Sequence, residues 1–246
     1  MAPAVALLRR RCALLADRGG RVLLAAAVAV SLGPVPPARA AELALVMALD
    51  VSASVSADSY ILERDGVAFA FADERLQRMI AAAGGIEAMV LEWSDPDKIA
   101  VTVDWTRIGS AAAARDFAAA VRGTDRTSHG LTAIGPALAA AGRQFRHLPQ
   151  PAARHVIDIS GDGMANLGEA PELVRDRLVA AGVTINGLPI LTEEPWLAAY
   201  YRDHVIGGAG AFVLPARDFN SFAAALRRKL VAEVAGRRPR AAPQMQ

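Results

Sequence analysis

Seven consecutive apolar residues, Leu43 to Leu49, run directly into Asp50-Val51-Ser52-Ala53-Ser54. A run of that length without polar alternation fits a strand buried on both faces, as in a parallel sheet covered by helices. In such sheets ligands bind beyond the carboxyl ends of the strands. One carboxylate and two hydroxyls, spaced two residues apart, therefore leave the sheet where a site is expected. All three are oxygen donors, the ligands that hard cations such as Mg²⁺, Mn²⁺ and Ca²⁺ prefer. Asp and Ser after a strand are also ordinary turn and cap residues, so this motif alone carries little.

The segment before the run reads as a leader. Arg9, Arg10, Arg11, Arg18 and Arg21 precede the apolar stretch Val22 to Leu32, and Ala38-Arg39-Ala40 is a small-x-small cleavage site. That layout predicts a signal peptide over residues 1–40 and an exported chain, periplasmic or secreted. The apolar stretch is too short to span a bilayer comfortably, so no membrane span is expected after cleavage. Cys12, the only cysteine, leaves with the leader. Removing residues 1–40 takes away six Arg and one Asp and leaves 21 basic and 24 acidic residues, a charge of about −3. Nothing in that balance suggests a nucleic-acid or membrane-surface partner. Residues 41–236 read as one domain, and 237–246, with three Arg and two Pro, as a flexible tail. The Ala- and Arg-rich usage fits a bacterium with a GC-rich genome.

Along the domain, a helical stretch over 58–82 is capped by Ser56 or Asp58 and divided near Gly66 or Ala72-Asp73. Ile86 to Trp93 is a second apolar strand. Lys98 to Ile108 alternates, with Ile99, Val101, Val103 and Trp105 on one face, and follows a short turn; it is expected as an antiparallel edge strand. Helices are expected over 110–121, 134–146 and 172–181, strands over 155–160 and 183–188, and a short helix over 196–203. A last strand over 211–214 precedes a final helix capped by Asp218. The order predicts an α/β, doubly wound, mostly parallel sheet with one antiparallel edge.

Two further oxygen sources sit at element edges: Thr132 before a helix and Asp162 just past a buried strand. If the strands ending at Asp50 and Asp162 are neighbours, three loops present Asp50, Ser52, Ser54, Thr132 and Asp162 around one point. Two carboxylates and three hydroxyls suit an octahedral hard cation completed by water or an outside carboxylate. Asp50-x-Ser52-x-Ser54, Thr132 in a Thr-x-Ile-Gly-x-Ala-Leu context, and Asp162 after an apolar strand resemble a von Willebrand factor A domain. The five positions match that family's metal-ion-dependent adhesion site. Ile159-Ser160-Gly161-Asp162-Gly163, Ile185-Asn186-Gly187-Leu188-Pro189-Ile190, Tyr200-Tyr201-Arg202-Asp203 and Val205-Ile206-Gly207-Gly208 resemble, more narrowly, a group of exported bacterial A-type domains of uncharacterised function. The resemblance implies the fold, the five ligands and a divalent cation, Mg²⁺ or else Mn²⁺ or Ca²⁺.

Other residues have two readings. Asp158, within an apolar strand, either orients the loop ligands or is a buried carboxylate bonded to backbone or to an Arg. Trp93 and Ser94 either line the ligand rim or belong to the core. Tyr200, Tyr201 and Arg202 follow a strand that ends on the same rim, where they form a cap or a packed surface helix. Arg126 and His129 read as solvated loop residues, and His155 and His204 as structural. The function expected is a binding module that recognises an acidic side chain of a protein partner through the cation. A metal-assisted hydrolase and a structural envelope subunit with a vestigial site are the alternatives. Against the hydrolase stand the lack of a second acidic pair, a Gly-x-Ser-x-Gly elbow, a His-Glu-x-x-His pair and a phosphate loop.

Overall fold

A computed structural model describes residues 40–236. Residues 1–39 of the expected leader, and the expected tail, lie outside the described residues. The run Ala41–Asp50 (β1) is the middle of a sheet and lies between two parallel neighbours, Ile86–Trp93 (β2) and Ala152–Gly161 (β4). Val183–Pro189 (β5) extends the sheet beyond β4, and Ile99–Ile108 (β3) closes the other edge antiparallel to β2, giving the order β3-β2-β1-β4-β5. The two apolar runs are continuous because both faces of β1 and β2 are covered. Leu43, Leu45, Met47 and Leu49 pack against one helical layer, and Val46 and Ala48 against the other. Each of the Leu, Met and Val side chains contributes roughly 1.5–3 kcal/mol by leaving water.

The first layer holds Ala57–Ala72 (α1), Glu74–Ala82 (α2), Ala111–Arg122 (α3) and a long terminal helix, Phe219–Val234. The second holds Ile134–Gln144 (α4), Pro171–Ala180 (α5) and a short helix, Leu197–Tyr200 (α6), that runs into a single π-helical turn, Tyr201–Val205. The terminal helix is α7. Ser56 caps α1 by accepting the Ser59 N–H, and Asp73 divides α1 from α2, its carboxylate accepting the Leu76 N–H at 2.9 Å. Asp218 starts α7 with a reciprocal capping box to Ser221.

Two local expectations change. The strict alternation of β3 breaks, because its register against β2 shifts on either side of Val90. Val103 consequently turns into the α1/α3 layer, while Ile99 and Trp105 pack on the α4 side and Val101 is exposed. A bulge reverses the phase of every residue beyond it. The strand expected over 211–214 is reduced to isolated bridges, Gly187 with Val213 and Ile190 with Ala216. Gly208 and Gly210 at positive φ on one side and Pro215 on the other leave too short an extended piece for a ladder.

A buried ionic cluster lies between β4, β5 and α7. Lys229, fully buried, reaches Asp158 Oδ1 at 2.5 Å and Glu233 Oε1 at 2.7 Å, and its ammonium sits 5.1 Å from the Phe212 ring centre. Asn186 donates to the same Glu233 oxygen and accepts the Phe212 N–H. Asp158 is therefore tied to Lys229 of the terminal helix, and neither to backbone nor to an Arg. Among the described residues no helix is long and apolar enough to cross a membrane.

Candidate metal centre

Parallel pairing of β1 with β4 puts Asp50 and Gly161-Asp162 at adjacent strand ends, and the loop 123–133 folds over the same rim. Ala53 N–H donates to Gly130 O at 2.8 Å, joining the first loop to the second. Thr132 N–H donates to Asn166 Oδ1 and Thr132 O accepts the Asn166 N–H, joining the second to the third. Within this frame Ser54 donates to Asp162 Oδ1 at 2.6 Å, Ser52 and Ser54 hydroxyl oxygens lie 3.1 Å apart, and Ser52 N–H donates to Asp50 Oδ1 at 2.7 Å. A Cβ on Gly163 would lie 3.7 Å from Thr132 Oγ1, which brings that hydroxyl alongside the Asp162 loop. Asp50, Ser52, Ser54 and Asp162 are thus linked at one mouth, with Thr132 beside the Asp162 loop. Asp50 and Ser52 form its floor, and Ser54 is exposed.

The electrostatics of this floor favour a cation. Burial strips Asp50 of water and pushes its carboxyl from the usual 3.8 to about 7, against the Ser52 hydrogen bonds; the nearby Asp162 adds to the rise. Loss of hydration also raises Asp162. Behind them Glu63, buried on α1 and accepting from Ser160 Oγ at 2.5 Å, is raised well above its ordinary value, mainly by burial. Neither Asp50 nor Asp162 has an ion pair among the described residues. Asp50 Oδ2 is buried without a hydrogen-bond partner. Two desolvated carboxylates beside small hydroxyls, without an ion pair among the described residues although the Arg126 charge lowers Asp162 somewhat, are a donor set that a divalent ion fits. Among the described residues no group of three or more His, Cys, Asp or Glu is arranged to hold a metal.

The neighbouring candidates separate. Trp93 is fully buried in the α4-side core, and Ser94, also buried, bonds Ser128 Oγ at 2.8 Å and so braces the second loop. Tyr200 Oη accepts the Ala165 N–H at 3.2 Å in the third loop, and its ring stacks on His204, which pairs with Glu172. Arg202 is exposed. His155 stacks on Phe145 with ring centres 4.7 Å apart. Arg126 corrects the reading of a solvated loop residue: it donates to Val51 O at 2.9 Å, Ser52 O at 2.8 Å and Ser128 O at 3.0 Å, latching the first loop to the second. Its partners are backbone carbonyls, which leave no mark in a sequence. Glu63 was legible in principle, as the one acidic residue on the buried stripe Tyr60, Glu63, Val67 and Phe71 of α1. Charged donors to carbonyls are worth about 1.5–3 kcal/mol. Arg126→Ala is therefore expected to lower stability in urea unfolding by about 2 kcal/mol and to weaken cation binding. An unchanged urea midpoint would mean that the latch holds nothing.

No curated protein matches the chain. Among solved structures, proximal thread matrix protein 1 from the mussel byssus, determined with a zinc-occupied MIDAS motif, is 17% identical with a TM-score of 0.57, covering 80% of this chain and 48% of that one. The von Willebrand factor type A structure from Catenulispora acidiphila is 20% identical with a TM-score of 0.55, covering 79% and 43%. The pilus adhesin SpaC from Lactobacillus rhamnosus GG, in its open conformation, is 12% identical with a TM-score of 0.58, covering 80% and 30%. The chain spans about half or less of the length of these structures, and at such identities the likeness is one of fold. A family model described as "Protein of unknown function (DUF1194)" matches residues 40–238. The parallel sheet with its one antiparallel edge strand is a von Willebrand factor A fold, and the chain belongs to the DUF1194 family.

Proposed function

We propose that this protein is an exported binding module. It holds a divalent cation with Asp50, Ser52, Ser54, Thr132 and Asp162 and recognises a partner's carboxylate through that cation. What supports this reading is that three cross-braced loops bring Asp50, Ser52, Ser54 and Asp162 together, with Thr132 beside them, over a buried carboxylate without an ion pair among the described residues. The chemistry the ion supplies is Lewis acidity toward an anionic oxygen from outside. Ser52, Ser54 and Thr132 are uncharged ligands and leave part of a dication's charge for that oxygen. The zinc-occupied motif of the mussel protein supports a metal in this fold, and Mg²⁺ is the cation we assign, with Mn²⁺ or Ca²⁺ as its substitutes. The leader over residues 1–40 assigns the protein to the periplasm or the exterior of a bacterial cell.

Mn²⁺ tests both halves of the proposal. Calorimetry with the purified protein should show one Mn²⁺ per chain, lost in Asp50→Ala. With Mn²⁺ bound, acetate at millimolar concentration should have its methyl protons relaxed by the protein-held ion, and the enhancement should vanish with EDTA. Saturable Mn²⁺ binding without relaxation of acetate would keep the cation and remove the carboxylate partner. No Mn²⁺ binding at millimolar concentration would remove both.

A further inference from the structure

Three of the quoted motifs meet on the sheet face that carries α4 and α5. Tyr201 opens the π-helical turn and is fully buried. Its ring lies over β5, where a Cβ on Gly187 would come 2.7 Å from Tyr201 Cδ1. Its hydroxyl reaches the end of β4, where a Cβ on Gly161 would lie 2.8 Å from Tyr201 Oη and 2.8 Å from Asp50 Oδ2. Contacts that short are not tolerated, so glycine at both positions clears a slot that leads the ring to Asp50. At the end of the slot Tyr201 Oη and Asp50 Oδ2 are both buried and both without a hydrogen-bond partner. Leaving such groups unmade costs about 1–3 kcal/mol each, and Phe would fill the slot without that penalty. The other oxygen of the carboxylate, Asp50 Oδ1, is already held by Ser52 N–H. Burial, and then the Asp50 charge, raise the Tyr201 phenol well above its usual 10, so the group is a donor at every physiological pH.

We propose that Tyr201 is a positioning residue for the cation site: its hydroxyl donates to Asp50 Oδ2 across one bridging water and fixes the carboxylate that Ser52 N–H holds from the other side. The inference rests on the cation reading above and adds to it a group that touches no ligand from outside. Partners of this kind, bonded to metal ligands, typically change metal affinity by 10–100-fold when removed. A π-turn is a common device for aiming a side chain at a functional site.

The test compares Mn²⁺ affinity by calorimetry in wild type and Tyr201→Phe, with the unfolding midpoint of each in EDTA. Tyr201→Phe should bind Mn²⁺ about tenfold more weakly while still unfolding in one cooperative transition in EDTA. A second measurement uses the unsubstituted sequence grown with 3-fluorotyrosine. The chain has three tyrosines, so the fluorine spectrum has three lines, assigned by Tyr60→Phe and Tyr200→Phe. Mg²⁺ should shift the Tyr201 line and leave the Tyr60 line in place. This arm decides the matter even if Tyr201→Phe fails to fold. Equal Mn²⁺ affinity in the two proteins, or a Tyr201 line that ignores Mg²⁺, overturns the positioning role and leaves the cation site standing. Failure of wild type to bind Mn²⁺ removes the cation reading and this inference with it.

Discussion

Asp50→Asn is expected to raise the unfolding midpoint of the cation-free protein at pH 8 and, in the same variant, to abolish stabilisation by Mg²⁺. The two effects have opposite signs and one cause. Asp50 is fully buried and its carboxyl is pushed to about 7 by loss of hydration. An acid whose pKa is raised on folding contributes stability that is complete below its unfolded value, near 3.8, and is lost as pH rises through about 7. At pH 8 the cation-free protein therefore carries the full penalty of a buried charge. Asn keeps the shape and an oxygen for the Ser52 N–H, and its amide can donate to the unpartnered Tyr201 oxygen. In EDTA at pH 8 the variant should be more stable by about 2 kcal/mol, with the two proteins converging toward pH 4. Mg²⁺ at a hundredfold excess over its dissociation constant stabilises a one-site protein by about 2.7 kcal/mol, and this gain should appear in wild type alone. The order of the two midpoints should thus invert between EDTA and Mg²⁺. A variant less stable than wild type in EDTA at pH 8 would show that Asp50 is held by structure rather than held ready for a cation.

What the sequence disclosed and withheld follows from where each interaction finds its partner. The β1 and β2 runs announce themselves because central strands need apolar residues on both faces. The candidate set is legible because its oxygens stand at fixed places beside elements that can be read locally. The reversal inside β3 is not, since a bulge depends on the strand next to it. The segment 211–214 has the residues of a strand but too little room between glycines and Pro215 to form one. Asp158 shows the same limit from the other side. Its place on a buried strand face reads directly, but its partner Lys229 lies far along the chain on α7, and no local pattern pairs the two. Tyr201 stood among the rim candidates, yet its direction depends on a π-turn that no periodicity announces.

Lys229→Met should be the most destabilising single change away from the metal loops. Lys229 is fully buried, and among the described residues it is the only cation paired with the side-chain carboxylates of Asp158 and Glu233. Removing one partner of a buried ion pair costs about 3–5 kcal/mol, because the charge left behind has neither water nor counter-ion. Here two carboxylates are left, and Asp158 Oδ2 and Glu233 Oε2 already lack hydrogen-bond partners. Met fills the space of the lysine stem, so the loss measures charge rather than packing. Asp158 is already raised to about 7 by burial, against the pull of Lys229. Without the ammonium it is raised further, and the contribution of its protonated form survives to higher pH but is lost above it. The deficit of Lys229→Met should therefore be larger at pH 8 than at pH 5, where protons take over from the missing ammonium. Urea unfolding at the two pH values reads this directly. Adding Asp158→Asn to Lys229→Met should recover part of the stability at pH 8, since the pair is then removed together, whereas Asp158→Asn alone should not stabilise. A loss that is equal at both pH values and not relieved by Asp158→Asn would mean that Lys229 acts through its methylene stem. The cluster would then be a packing feature of α7 and not an electrostatic tie between that helix and the strand that leads to Asp162.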